Sequence, residues 1–386
     1  MTPRQRIVIW REIARLEASG EDPERLAVLR EEYRYQGTET CAGCGLCSTS
    51  CPVGINTGDL TRSIRSRDNE NHARLAQWLA DHYGGVSRTS KTLFSLADAT
   101  HGLIGTDRMQ RLTGGIRRLS GNRLQQWTPA MPRAAAKIKP DTGLPEAARP
   151  KVVYLPSCAS RTMGPPRGAA DKRSLFEVTE QLLRKAGYEV IYPQDLEAQC
   201  CGMPFQSKGL FDAADQKAQE TERLLLAATE NGALPVYSDT SPCSLRLKDK
   251  LDPRIRLYDS VDFIDRFLLD RLLFEPLDAP VALHVTCSAT RMGQTESLKR
   301  IAGRCSRQLV IPEQIGCCGF AGDKGFSTPE LNASALRTLK GAVQHCSEGV
   351  STSRTCEIGL THHSGIDYHS IVYLLDRCSS AKGTPR

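Results

Sequence analysis

The chain has 386 residues, 40% hydrophobic and 25% charged, with a formal net charge of +7, a length that predicts two or three domains with cores of their own. No apolar run approaches the roughly 18 residues of a membrane span, and Met1 leads straight into Thr2-Pro3, a helix cap and first-turn proline, rather than into a signal peptide. These features point away from an integral membrane protein. Fifteen cysteines, in an arrangement suited to metal ligation rather than a disulfide scaffold, call for a reducing compartment, which places the chain in the cytoplasm.

In chain order, Ile9, Ile13 and Leu16 recur at helical spacing and predict a helix over 3–18 that ends near Gly20. Asp22-Pro23 starts a second helix, with Leu26, Leu29 and Tyr33 on one face and Gly37 as its stop. The loop that follows carries Cys41, Cys44, Cys47 and Cys51, the last before Pro52. C-x2-C-x2-C-x3-C-P is the bacterial-ferredoxin run. Three thiolates at this spacing can curl around one corner of a 4Fe–4S cube. Ala42, Gly43 and Gly45 then let backbone amides approach the sulfurs. In two-cluster ferredoxins the cysteine before proline serves the other cluster. With no second run in the chain, Cys51 closes its own cluster or a distant cysteine does so, and Cys51 is the favoured choice.

Residues 59–119 read as largely helical, interrupted at Gly84-Gly85 and Gly114-Gly115. From His101 to Lys139 eight Lys/Arg face one acid, Asp107. Too few aromatics accompany them for a base-stacking surface, so no nucleic-acid partner is expected. A solvated basic linker is the plain reading. Docking to an acidic redox partner or to the anionic inner face of a membrane is the alternative. Prolines 129, 132, 140, 145 and 150 mark the linker itself.

Beyond it one unit is written twice. Strand Val152–Leu155 leads to Cys158, and strand Val281–Val285 leads to Cys287. A helix follows in each, with Leu175, Val178 and Leu182 on one face in the first. Next comes a strand, Val190–Tyr192 or Leu309–Ile311, and then a cysteine pair: Cys200-Cys201-Gly202 or Cys317-Cys318-Gly319. A further helix and strand end at Cys243 and Cys356. Strands alternating with helices imply parallel βαβ units whose loops gather the cysteines at the carboxyl edge of each sheet. The fold class expected is α/β: a helical ferredoxin-type domain over 1–120, a linker over 121–150, and two small repeated domains over 151–277 and 278–386.

Adjacent residues of a strand point to opposite faces, so bringing both sulfurs of a Cys-Cys pair to one centre needs a sharp turn, which Gly202 and Gly319 permit. Four crowded thiolates repel and need cations, most simply metal ions. Arg161, Arg291, Lys208 and Lys324 are basic neighbours. The metal or cluster ligands expected are Cys158, Cys200, Cys201 and Cys243 in the first copy, and Cys287, Cys317, Cys318 and Cys356 in the second.

These repeats resemble the cysteine-rich CCG domain proteins, among them heterodisulfide reductase subunits and iron–sulfur parts of glycerol-3-phosphate, glycolate and lactate oxidation systems. That family ends each repeat with C-x-x-C, and its fully equipped members bind a non-cubane 4Fe–4S cluster. Here Arg246 and Gly359 stand three residues past Cys243 and Cys356, which leaves an ordinary cluster, another metal or a thiol pair open at each site. Over nearly its whole length, through T-P-R-Q-R-I-V at 2–8, C-P-V-G-I-N-T-G-D at 51–59, C-C-G-F-A-G-D-K-G-F at 317–326 and S-R-T-C-E-I-G-L at 353–360, the chain resembles the C-terminal iron–sulfur half of bacterial FAD-linked D-2-hydroxyacid dehydrogenases of the D-lactate or D-2-hydroxyglutarate type. The resemblance implies an electron-transfer module, not catalytic alone, that carries electrons from FAD on a partner domain or subunit to a cytochrome or quinone acceptor. The chain is expected to be a separate subunit or a fragment. A heterodisulfide-reductase-like thiol catalyst at the CCG centres is the alternative, and a scaffold holding structural zinc a third reading.

Cys305, Cys346 and Cys378 lie outside the repeats and read as buried packing thiols. Of His362-His363 one imidazole would be available as a replacement ligand. Val261, Phe263, Phe267 and Leu268 read as core.

Overall fold

Thr2 opens the first helix as its sequence predicts: its hydroxyl accepts from Gln5 N–H, and the Gln5 side chain returns to Thr2 N–H at 2.8 Å. The computed structural model describes residues 1–121, 127–139 and 149–382. Helix α1 (Pro3–Ser19) ends on Gly20, and α2 (Pro23–Tyr33) follows. Gly37 does not stop the second helix. The chain continues through a wider turn over Arg34–Glu39, and the Tyr33 ring occupies the space where a side chain at 37 would stand, so glycine is required there.

Then come α3 (Leu46–Thr49), α4 (Thr57–Asp68), α5 (Ala73–Asp81), α6 (Tyr83–Ile104) and α7 (Thr106–Leu119). The glycine pairs expected to interrupt this region lie inside helices, Gly84-Gly85 in the first turn of α6 and Gly114-Gly115 within α7. A glycine costs a helix only about 1 kcal/mol. The breaks fall instead at His82 and at Gly105, whose φ of +77° suits glycine.

The first repeat builds β1 (Lys151–Leu155), α8 (Cys158–Thr162), α9 (Leu175–Lys185), β2 (Glu189–Ile191), α10 (Met203–Ser207), α11 (Phe211–Ala228), β3 (Val236–Ser238), α12 (Ser241–Lys248), β4 (Leu257–Asp259) and α13 (Ser260–Phe263). After β5 (Leu272–Phe274) the second runs β6 (Val281–Leu283), α14 (Cys287–Arg291), α15 (Thr295–Cys305), β7 (Leu309–Val310), α16 (Lys324–Ser327), α17 (Pro329–Ala335), α18 (Leu339–Val343), β8 (Glu348–Ser351), α19 (Arg354–Ser364), β9 (Tyr368–Ser370) and α20 (Ile371–Cys378), closing with β10 (Ser379–Ala381). The sheets order as β2-β1-β3-β4 and β7-β6-β8-β9, every pairing parallel. Each sheet thus has a fourth strand that the three-strand expectation lacked. β5 and β10 add a small antiparallel ribbon.

One apolar cluster runs through both sheets, from Tyr154, Tyr237 and Phe263 to Leu283, Leu298, Val350 and Leu375. The two repeats therefore share a core, and Val261, Phe263 and Leu268 are fully buried in it. The start of the expected linker is packed rather than free. Ala134 pairs with Met163, Ala135 donates to Thr162 O at 3.0 Å, and Lys91 donates to Ala136 O. Pro140 and Pro145 lie outside the described residues. Among the described residues no helix is long and apolar enough to cross a membrane.

Candidate functional site

Two buried arginines shape the loop that carries the ferredoxin run. Arg65 donates to Thr38 O, Cys41 O and Ser207 O, and Arg6 to Gly37 O and Thr40 Oγ1, all within 3.1 Å. Gly43 and Gly45 take positive φ, and Gly45 lies so close to the Arg291 guanidinium that a side chain there would press on it. Amides turn toward the sulfurs: Gly43 N–H to Cys41 Sγ at 3.4 Å and Thr57 N–H to Cys47 Sγ at 3.3 Å. The backbone N–H groups of Ile55, Val53 and Gly54 hold the Cys51 thiol below its ordinary pKa. Cys41, Cys44, Cys47 and Cys51 line one cavity of about 540 Å³, and Cys317 of the second repeat lines the same cavity.

There the loop meets the second cysteine site. Gly319 turns the Cys-Cys pair at φ +71°. Cys317 stands beside Cys287, Cys318 and Cys44, sharing the cavity lining with Cys44, and Cys318 lies 3.1 Å from Cys356. The Cys44 thiol is held well above its ordinary pKa, first by its hydrogen bond with Cys317 and then by burial. The two motifs, some 270 residues apart in the chain, form one continuous sulfur-lined region.

The first repeat closes its site instead. Gly202 turns its pair at φ +83°, where any side chain would run into Ala214 O. Cys158 lies 3.9 Å from Cys200, and Cys201 3.2 Å from Cys243. Only about 20 Å³ of cavity remains among them, room for about one water. Buried Arg161 ties the loop down through the carbonyls of Pro156, Leu196 and Gln199. Tyr83, from α6, stands beside Cys158 and Cys200, where its hydroxyl favours the charged form of both thiols. Nothing in the sequence around Tyr83 announces this role.

The two positions that lack the family's fifth cysteine are filled by equivalent means. Arg246 is buried, donating to Cys201 O at 2.7 Å and to Asp215 at 2.9 Å. Opposite Gly359 the Asn332 amide occupies the space and donates to Cys318 O at 2.6 Å. In both repeats a polar side chain thus caps the carbonyl of the second cysteine. Between the sites the buried Ser241 hydroxyl bonds with those of Thr286, Ser288 and Thr352, tying together the starts of α12 and α14, which carry Cys243 and Cys287.

In room and in donors to sulfur the large cavity suits a multi-iron cluster on Cys41, Cys44, Cys47 and Cys51, while the first repeat has room only for closely packed thiols. Among the described residues no three histidine, cysteine or carboxylate side chains are gathered as a cage for a single metal ion. His362 and His363 lie on α19 with their rings edge to face. Cys305, Cys346 and Cys378 are buried.

Residues 152–248 and 281–360 match the family described as Cysteine-rich domain, CCG. The chain thus carries two CCG cysteine-rich domains, one on each parallel sheet. A subunit of the anaerobic glycerol-3-phosphate dehydrogenase of Escherichia coli K12 is 30% identical over 142 residues, 33% of this chain and 35% of that protein. Lactate utilization protein A of Oceanobacillus iheyensis is 26% identical over 189 residues, 44% of this chain and 72% of that one. The chain spans about a third of the length of the glycerol-3-phosphate dehydrogenase subunit. The aspartate racemase of Picrophilus torridus matches 59% of this chain and 90% of its own at 10% identity, with a TM-score of 0.30, too low to carry an argument.

Proposed function

We propose that this chain is the iron–sulfur electron-transfer module of a flavin-linked dehydrogenase, of the D-lactate or D-2-hydroxyglutarate type, handing electrons from reduced FAD on a partner domain or subunit to a cytochrome or quinone. The observation that carries this reading is the shared cavity, lined by the ferredoxin run and by Cys317, which stands beside Cys44. Cys41, Cys44, Cys47 and Cys51 would hold a 4Fe–4S cluster, which supplies one-electron chemistry when bound. The residues around it do the rest. The amides of Gly43 and Thr57 soften sulfur charge, and Arg6 and Arg65 hold the loop rigid. The resemblance to hydroxyacid dehydrogenases supports the substrate class, and the names of the glycerol-3-phosphate and lactate relatives support membership of a multi-part oxidoreductase. A cytoplasmic location, with contact at the inner face of the membrane, belongs to the same proposal.

Iron and acid-labile sulfide analysis of anaerobically purified protein, with low-temperature EPR after dithionite reduction, tests it. A reducible cluster signal is expected, and an iron-free preparation would refute it. A flavin-domain gene beside this one would support the partner assignment.

The close thiol pairs, Cys201 with Cys243 and Cys318 with Cys356, favour a second reading, disulfide reduction at the CCG centres. It requires turnover of a disulfide substrate by this chain alone, abolished by Cys201→Ser or Cys318→Ser.

A further inference from the structure

The spacing of the ferredoxin run does not by itself reserve Cys51 for the cluster of Cys41, Cys44 and Cys47, because in two-cluster ferredoxins the cysteine before proline serves the other cluster. Cys51 stands on a surface turn, where its carbonyl accepts from Gly54 N–H at 3.0 Å. Ser50 and every residue from Pro52 to Ile55 are exposed around it, Val53 by 75%. The thiol itself is engaged by the amides of that same turn.

Cys317 has the opposite setting. Among the described residues it is the one cysteine outside 41–51 that lines the 540 Å³ cavity. Its loop is fixed to the ferredoxin domain on both sides. Before it, Leu46 packs so close to Gly316 that an added Cβ would stand 3.6 Å from Leu46 Cδ1. After it, buried Lys324 pairs with Glu39 at 2.6 Å, and Glu330 accepts from the Tyr35 hydroxyl at 2.5 Å. Tyr35 and Glu39 belong to the wide turn that leads directly into Cys41. The Arg117 guanidinium adds a bond to Phe326 O at 3.2 Å. An isolated exposed ion pair contributes little, but here a buried lysine, a phenol, a guanidinium and a leucine act on one short stretch. Cys200, the counterpart of Cys317 in the first repeat, has Tyr83 beside it and lines only the small closed cavity.

We propose that Cys317 is a fifth thiol of the ferredoxin-type site, able to hold the fourth iron in place of Cys51. The proposal deepens the electron-transfer reading above and rests on it. A 4Fe–4S cluster takes four thiolates, and this cavity is lined by five cysteines. The exchange breaks one iron–thiolate bond at Cys51 and forms one at Cys317. The proton that leaves Cys317 Sγ is matched by one that Cys51 takes up from solvent, and no electron is transferred. Cys317 then ties the ferredoxin loop through covalent bonds to the segment carrying Cys318, whose sulfur lies 3.1 Å from that of Cys356. The surface cysteine and the interdomain cysteine thus compete for one corner, and the interdomain one links the two motifs.

Iron and acid-labile sulfide analysis, with low-temperature EPR of anaerobically purified full-length protein, tests this in a set of variants. Cys51→Ala is expected to keep at least half of the reduced cluster signal, with altered g-values because a different thiolate holds the fourth iron. Cys317→Ala should keep the signal of the unaltered chain, since Cys51 then serves alone. The double variant Cys51→Ala/Cys317→Ala should lose that signal ten-fold or more. Cys51→Ala/Cys318→Ala changes the adjacent thiol, which does not line the cavity, and should match Cys51→Ala; that result separates loss of a ligand from damage to the second repeat. A three-iron signal in oxidised Cys51→Ala protein, the mark of an unheld fourth corner, overturns the proposal, as does outright loss of its cluster. Retention of the full signal in the Cys51→Ala/Cys317→Ala protein overturns it equally. A normal signal in the unaltered chain beside an empty Cys51→Ala variant refutes the exchange alone, whereas an unaltered chain without iron refutes the electron-transfer reading beneath it.

Discussion

The two CCG domains have the same strand order, the same cysteine sequence and the same glycine-turned pair, yet their sulfur sites end differently. In the first, Arg161 ties the loop down, Tyr83 stands beside Cys158, and about 20 Å³ remains among the cysteines. In the second, Cys317 forms part of the wall of a cavity of about 540 Å³ and stands beside Cys44, while Arg291, four residues past Cys287 where Arg161 is three past Cys158, lies against the ferredoxin loop at Gly45. What differs is the surface that the helical domain presents to each sheet edge: a tyrosine to one, a run of thiols to the other. Duplication supplied two equal frameworks, and the docked domain made one a closed thiol set and the other a junction between motifs.

The sharpest break of that comparison is a cysteine swap. Cys47→Ser removes the sulfur that Thr57 faces and should lower bound iron and sulfide at the open cavity by ten-fold or more, whereas Cys158→Ser should leave that iron in place. Equal losses from both would erase the distinction.

Arg246→Ala is expected to destabilise the first domain by about 3 kcal/mol in anaerobic urea unfolding, since it strips the cap from Cys201 O and the partner from Asp215. Asp215 is partly solvated, which keeps the loss at the low end for a broken buried pair.

His284 sharpens the contrast through pH. Burial holds its imidazole neutral, with the pKa brought down to about 4 from 6.5. Between those values the unfolded chain binds a proton that the folded one does not, so stability falls as pH drops through the window, by about 2–3 kcal/mol near pH 4. The first domain has Leu155 at the matching place. His284→Leu should flatten the acid limb of a stability-against-pH curve; an unchanged limb would assign the loss to other groups.

Asn332→Ala, the counterpart of the Arg246 change, should cost about 1–2 kcal/mol, because a neutral amide caps Cys318 O there. The smallest effect belongs to Tyr83→Phe. It should cost no more than about 1 kcal/mol, yet slow anaerobic alkylation of Cys158 several-fold, because the hydroxyl that favours its thiolate is gone, and leave Cys287 unaffected. An unchanged rate at Cys158 would show that the Tyr83 hydroxyl does not act on it.

Local chemistry made much of this legible. The Thr2 cap, the helix ending at Gly20, the strands leading to Cys158 and Cys287, and the turns at Gly202 and Gly319 all follow from residues within a few positions of one another. The short edge strands Leu257–Asp259 and Tyr368–Ser370 were not legible, because three residues carry too little periodicity to separate a strand from a loop. The glycine pairs misled in the other direction, since helix packing readily offsets what glycine costs.

The amino-acid order by itself determined the duplicated α/β framework, the sulfur inventory and the ferredoxin spacing, since each is written within one turn or one βαβ unit. Only the tertiary structure decided that Cys44 stands beside Cys317, that Tyr83 stands beside Cys158, and that Arg246 and Asn332 serve where cysteines are missing. Most of these contacts join parts of the chain far apart, brought together when the helical domain packs on the carboxyl edges of the two sheets and when the repeats fold their own crossovers back. Long-range packing of that kind leaves no periodic trace in the chain that makes it.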